Sequence, residues 1–266
     1  MTFQLLSSLE IVAKFLNLDE MHEQGGIMYE DNYENILKKN DEAQEEAEEL
    51  QEVQERCLFL GGKIKGIFWC ELIAGIAYAI LKVILENVSI YGVFRYPLWQ
   101  TASIPIILAA TMIICYVLNC IFMILMAKYY ESFLYAGVLF VIANALAIVE
   151  EFIADQGVSM ILTLVAAVLS IMQMYYFIHG MTSALSGIDF DLQSKWEMYW
   201  KGFWILFGAF IVCTLFIIIP VIRVMASLLL LVFPFVMFAF EIWRYVLLWK
   251  SPGSLIGYAL YYESRV

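Results

Sequence analysis

Apolar residues gather into six long runs, at 66–85, 104–126, 133–149, 158–178, 203–219 and 224–240, divided only by short polar breaks. An α-helix rises ~1.5 Å per residue, so about 20 apolar residues cross a hydrocarbon core ~30 Å thick. Shorter runs reach across when polar side chains at their ends extend to the headgroups. The pattern predicts an all-α polytopic membrane helix bundle. Six transmembrane helices occupy 63–250, after an acidic cytoplasmic helical segment at 1–62 and before a short cytoplasmic tail at 251–266.

The amino-terminal segment is patterned differently. Leu5, Leu9, Val12 and Leu16 recur at helical spacing opposite Ser7, Glu10, Lys14 and Asn17. After Gly25-Gly26 a second helical pattern passes through Tyr33, Ile36, Asn40, Ala43, Ala47, Leu50 and Cys57. Small and polar residues fill half of that seam, too weak a stripe for a coiled coil. So few apolar residues build no core of their own. A helical hairpin is expected, lying on the protein's inner face or on a partner, with Gly61-Gly62 separating it from the first span. Glu10 and the missing basic n-region argue against a signal peptide, so the first spanning helix is expected to drive insertion.

Basic residues near helix ends set topology. With the amino terminus inside, the inner face collects Arg56, Lys63, Lys65, Lys128, Lys195, Lys201, Arg244, Lys250 and Arg265, while the outer face receives Arg95 and Arg223. Both termini are therefore expected in the cytoplasm of a cell-membrane protein. The connections fit: an outer loop at 87–103 with Tyr91, Phe94, Tyr96 and Trp99 for the interface, a tight inner turn at 127–132, and an outer turn at Pro220. Pro234 inside the sixth run is expected to kink it.

Hydrophobic residues make up 63% of the 266 and charged residues 15%, too little charge to cover a soluble domain of this size. The net charge of −11 owes much to residues 41–56, where eight acids accompany one arginine. That balance argues against nucleic acid and anionic lipid surfaces as partners. The expected partners are the lipid bilayer and, through the amino-terminal segment, another protein or a second copy. Cys57, Cys70, Cys115, Cys120 and Cys213 form no C-x-x-C pair, so neither a disulfide framework nor a zinc site is indicated.

Candidate chemistry is sparse. Glu150-Glu151 resembles the opening of the glutamate motif of intramembrane CAAX-type proteases. Asp155 stands where that motif continues to Arg, and His179 falls roughly a membrane thickness (~30 Å) away. A general base and metal ligand must share one site, so the acids read better as an outer cap. No catalytic residue, metal ligand or cofactor motif is assigned.

Charged residues inside spans are the functional suspects: Glu71, Lys82, Glu241 and Arg244. Glu71 and Lys82 lie ~16 Å apart along one helix and are expected to snorkel, whereas Glu241 and Arg244 can pair at i,i+3. Among neutral polar residues, Asn144 and Ser170 fall near the membrane middle, with Asn119 and Gln173 in the inner half. Asn119 with Gln173, and Asn144 with Ser170, are expected as interhelical hydrogen bonds, or as the lining of a small polar cavity. Gly75-x-x-x-Ala79 and Ala143-x-x-x-Ala147 permit close helix approach.

In the loop at 187–201, Ser194 with Glu197 fits a capping box. Trp196, Trp200 and Trp204 then read as an inner aromatic belt, with Tyr175 or Tyr176 needed to complete any cage for a cation. Asp189-x-Asp191 lacks a third ligand for a divalent ion. The sequence favours a non-catalytic accessory or scaffold subunit engaging a partner through its acidic segment. A small-solute permease with a polar site among helices 2–4 is the alternative, and a membrane-embedded enzyme ranks last.

Overall fold

The computed structural model describes residues 30–91, 98–150, 153, 155–216, 219 and 223–263. The expected helix through Leu5, Leu9, Val12 and Leu16 lies outside them. The described chain is helical: α1 Glu30–Tyr91, α2 Leu98–Met126, α3 Ser132–Glu150, α4 Gln156–Leu185, α5 Phe190–Phe216 and α6 Arg223–Glu263. All six are long and apolar enough to cross a membrane. The chain divides into two units, Met1–Glu52 and Val53–Val266, and the packing described below belongs to the second.

Within that unit α2, α3, α4, α5 and α6 pack each against the next. Helix α1 closes the ring, touching α2 where Cys70 and Ala74 meet Cys115, and α6 where Glu71 meets Arg244. Short connections make such neighbours antiparallel. The turn 127–131 joins α2 to α3, with Tyr129 and Tyr130 N–H groups donating to the Met126 carbonyl. The α4–α5 turn uses Gly187 at φ +78°, a left-handed backbone that favours glycine. Asp155 caps α4 by accepting from the Gly157 and Val158 N–H groups.

Two local expectations change. Helix α1 runs unbroken through Gly61-Gly62. Gly61 is there for proximity rather than for a break, because a Cβ on it would sit 2.8 Å from Ile256 Cγ1 on α6. Helix α5 begins at Phe190 rather than Ser194, since Asp189 accepts the Leu192 N–H at 2.9 Å and caps it first. The segment after Lys250 is helical to Glu263, with Ser251, Pro252, Leu255 and Ala259 buried. Pro105, Pro234 and Pro252 all lie inside helices.

The core gathers at one end of the bundle. Leu60, Ile64, Met126, Phe133, Met181, Trp196 and Leu248 are almost wholly buried there. Phe133 lies against α4 so closely that a Cβ on Gly180 would meet its ring at 2.8 Å. Trp196 Nε1 donates to Ser251 Oγ at 3.1 Å, and Ser251 donates in turn to the Leu247 carbonyl. A second clasp ties the α4–α5 turn to α6, where Ser254 Oγ donates to Asp189 Oδ2 at 2.7 Å.

Candidate functional site

Six of the eight charged and neutral polar suspects converge on one cavity of about 380 Å3 between the helices. Glu71 comes from α1, Asn119 from α2, Ser170 and Gln173 from α4, and Glu241 and Arg244 from α6. Tyr116, Phe140, Phe177, Trp196 and Tyr245 supply aromatic wall.

Arg244 organises the charges. Its Nε donates to Glu241 Oε2 at 2.8 Å, the i,i+3 pair that the sequence suggested. Its Nη1 lies 2.8 Å from Glu71 Oε2 across the α1–α6 contact. That second contact is close enough to be an ion pair but is not aligned as a hydrogen bond, and Glu71 Oε2 finds no aligned donor among the described residues. Distance sets the Coulomb attraction, so the two charges attract although the oxygen is left short of a hydrogen bond. The guanidinium also lies 5.1 Å from the centroid of the Tyr245 ring, and the Tyr245 hydroxyl makes a long 3.5 Å contact with the Glu71 carbonyl.

Asn119 is 3% exposed, and its Oδ1 has no partner among the described residues. Buried amides nearly always find partners, so an orphan of this kind asks for an explanation. The expected Asn119–Gln173 pair is replaced by a shared wall. The expected Asn144–Ser170 pair does not form: Asn144 Nδ2 donates to the Phe140 carbonyl and Ser170 Oγ to the Ala166 carbonyl, each four residues back on its own helix. Asn144 is absent from the lining, and exposed Lys82 lies outside it on α1.

The remaining motifs resolve into structure. Gly75 lines the cavity, where a Cβ would reach the Tyr245 hydroxyl at 3.7 Å. Trp196 is core rather than belt, while Trp200 is half-buried and Trp204 exposed. Glu150 Oε1 accepts from Ser159 and Thr163 on α4 at 3.0 and 2.6 Å. His179 stacks on Tyr175 at the opposite end of α4 from Ser159. Asp189 is occupied by its cap and Ser254, and Asp191 pairs with Lys195.

Sequence reasoning missed the Glu71–Arg244 contact, Tyr245, and the aromatic wall from Tyr116 and Phe140. The unmatched charge of Glu71, one helical face from Gly75, was the signal available for the first of these. No protein-family model, curated protein or solved structure matches this chain.

Proposed function

We propose that this chain is a cell-membrane permease for a small polar solute, with both termini cytoplasmic and the solute site in the cavity around Arg244. The orientation rests on the basic residues of the 56–65, 128, 195–201 and 244–250 segments. One observation carries the functional reading: two carboxylates, a guanidinium and a partnerless Asn119 amide border open volume inside an apolar bundle.

Burying an ion pair costs several kcal/mol per charge before attraction offsets it, and a well-packed apolar replacement is often as stable. A pair kept only to staple α1 to α6 would be closed over by side chains. Here about 380 Å3 remains beside it. Transport sites in helical membrane proteins are built from such convergent polar groups within the bundle.

The test is whether the cavity is wet. Gln173→Cys, in a background with the five native cysteines replaced, should react with a small hydrophilic thiol reagent in proteoliposomes. Phe235→Cys, on an exposed stretch of α6, should react far more slowly in lipid. Equal inertness at both positions would end the permease reading.

A second reading has its own support. Glu42, Glu45, Glu46, Glu48 and Glu49 are all exposed on α1, which suits an acidic helical segment, the second helix of the expected hairpin, engaging a protein partner. Removing residues 1–52 should leave insertion intact, because Cys57 is the first buried residue of α1 among the described side chains. A bound partner should be lost with the segment, and an unchanged set of co-purifying proteins would count against this role.

A further inference from the structure

We infer that the cavity selects a small organic monocation carrying N–H donors, an alkylammonium or amidinium rather than an anion or a neutral amide. This inference rests on the permease reading and names its substrate class.

Three observations converge on it. The first is charge: Glu71 and Glu241 share one guanidinium, so the lining carries a formal excess of one negative charge. An excess charge in a low-dielectric bundle calls for a counter-charge, and an anionic ligand would add to the imbalance.

The second is hydrogen-bonding sense. Both buried side-chain atoms that lack a hydrogen-bond partner among the described residues are acceptors, Glu71 Oε2 and Asn119 Oδ1. Their natural complement is a ligand that donates. Asn119 is the stronger witness, being almost completely buried on α2 and yet partnerless at the cavity wall. A carboxylate ligand would face two acceptors with nothing to offer them.

The third is the wall. Tyr116, Phe140 and Tyr245 border the same volume, and aromatic faces attract cations within about 6 Å by their quadrupoles. Arg244 already lies over Tyr245, so Tyr116 and Phe140 are the rings left for a ligand. An inorganic ion would leave this apolar wall uncovered, whereas an organic ammonium covers it with its carbon skeleton.

The experiment uses charge-matched thiol reagents on the full chain in proteoliposomes. Gln173→Cys in the cysteine-replaced background is treated with aminoethyl methanethiosulfonate, which is cationic, and with the sulfonatoethyl reagent, which is anionic. The cationic reagent should react at least tenfold faster. Ethylammonium should slow that reaction, and acetate or acetamide at the same concentration should not. Adding Glu241→Gln should bring the two rates to within about twofold, because the excess charge is then gone. Asn119→Leu should keep the rate preference but weaken protection by ethylammonium several-fold, which separates donor recognition from bulk charge. Equal rates for the two reagents, or protection by acetamide as strong as by ethylammonium, would overturn the cation assignment while leaving a wet cavity in place. Inertness to both reagents would instead remove the permease reading beneath it.

Discussion

The two halves of the bundle are built on different rules. At one end Leu60, Ile64, Met126, Phe133, Trp196 and Leu248 are 0–1% exposed, and aromatic rings contact one another from Phe133 through Phe177 and Trp196 to Tyr199 and Phe240. At the other, Ile106, Ile161, Leu164, Ile205 and Leu231 are 63–73% exposed. Lipid tails are as apolar as leucine, so nothing drives such side chains together, and helices there are free to stand apart. The Arg244 cavity sits where the first regime gives way to the second. Packed Phe177, Ile178 and Trp196 form one boundary, and Ser170 and Tyr116, both exposed, lie toward the other. A cavity placed this way has a closely packed floor and lightly constrained walls.

The sharpest way to break this comparison is to cut the floor. Trp196→Ala removes a fully buried indole and leaves Ser251 without its Nε1 donor. In water-soluble cores such a truncation costs about 3–5 kcal/mol. Less transfer energy is at stake in lipid, so we expect about 3 kcal/mol here, read as a large fall in apparent melting temperature in mild detergent. Leu164→Ala on the exposed half should cost about 0.5 kcal/mol or less. Similar losses at both positions would mean the halves are not different in kind.

Overpacking tests the same floor at a smaller scale. Gly180→Ala puts a methyl group 2.8 Å from the buried Phe133 ring, which has no flexible end to withdraw. The expected cost is about 1–3 kcal/mol. Gly208→Ala on α5 meets no atom within 4 Å and should be neutral or slightly stabilising, since alanine is the better helix former. Equal effects would show that the Phe133 contact is loose enough to relax.

The sequence showed those features that a single helix carries within itself. Six apolar runs are long, so the spans were legible, and so was the turn after Met126. Glu241 and Arg244 were legible as a pair because three residues bring them onto one face. Helix rotation is another matter. Depth along α3 put Asn144 at mid-membrane, yet its side chain turns back to Phe140 and away from the cavity. Glu71 and Arg244 stand on helices far apart in the chain, and nothing local announces their contact. Trp196 and Trp204, two steps apart on one four-residue stripe, looked alike, but Trp196 is buried with its N–H on Ser251 of α6 while Trp204 is exposed. The capping box at Ser194 misled because Asp189, five residues earlier, offers a competing cap that also reaches Ser254.

That same aspartate gives the smallest and most specific test of the packed end. The Leu192 N–H and then the Ser254 hydroxyl hold the Asp189 carboxyl below its ordinary range, with Lys195 helping, although partial burial opposes them. A carboxyl depressed in the folded state contributes stability that is fully present above its unfolded value, ~3.9. The contribution is lost as pH falls through the lower folded value. Asp189→Asn keeps a capping oxygen for Leu192, because asparagine caps as well as aspartate, but removes the charge that Ser254 donates to. At neutral pH the variant should therefore melt slightly lower, by about 0.5–1 kcal/mol. The wild type should lose that advantage as the medium is acidified toward about pH 3, so the two melting curves converge. Melting temperatures across that window in acid-stable detergent make the comparison. A gap that stays constant down to pH 3 would assign the clasp to hydrogen-bond geometry alone, and a gap that widens would contradict the depressed carboxyl.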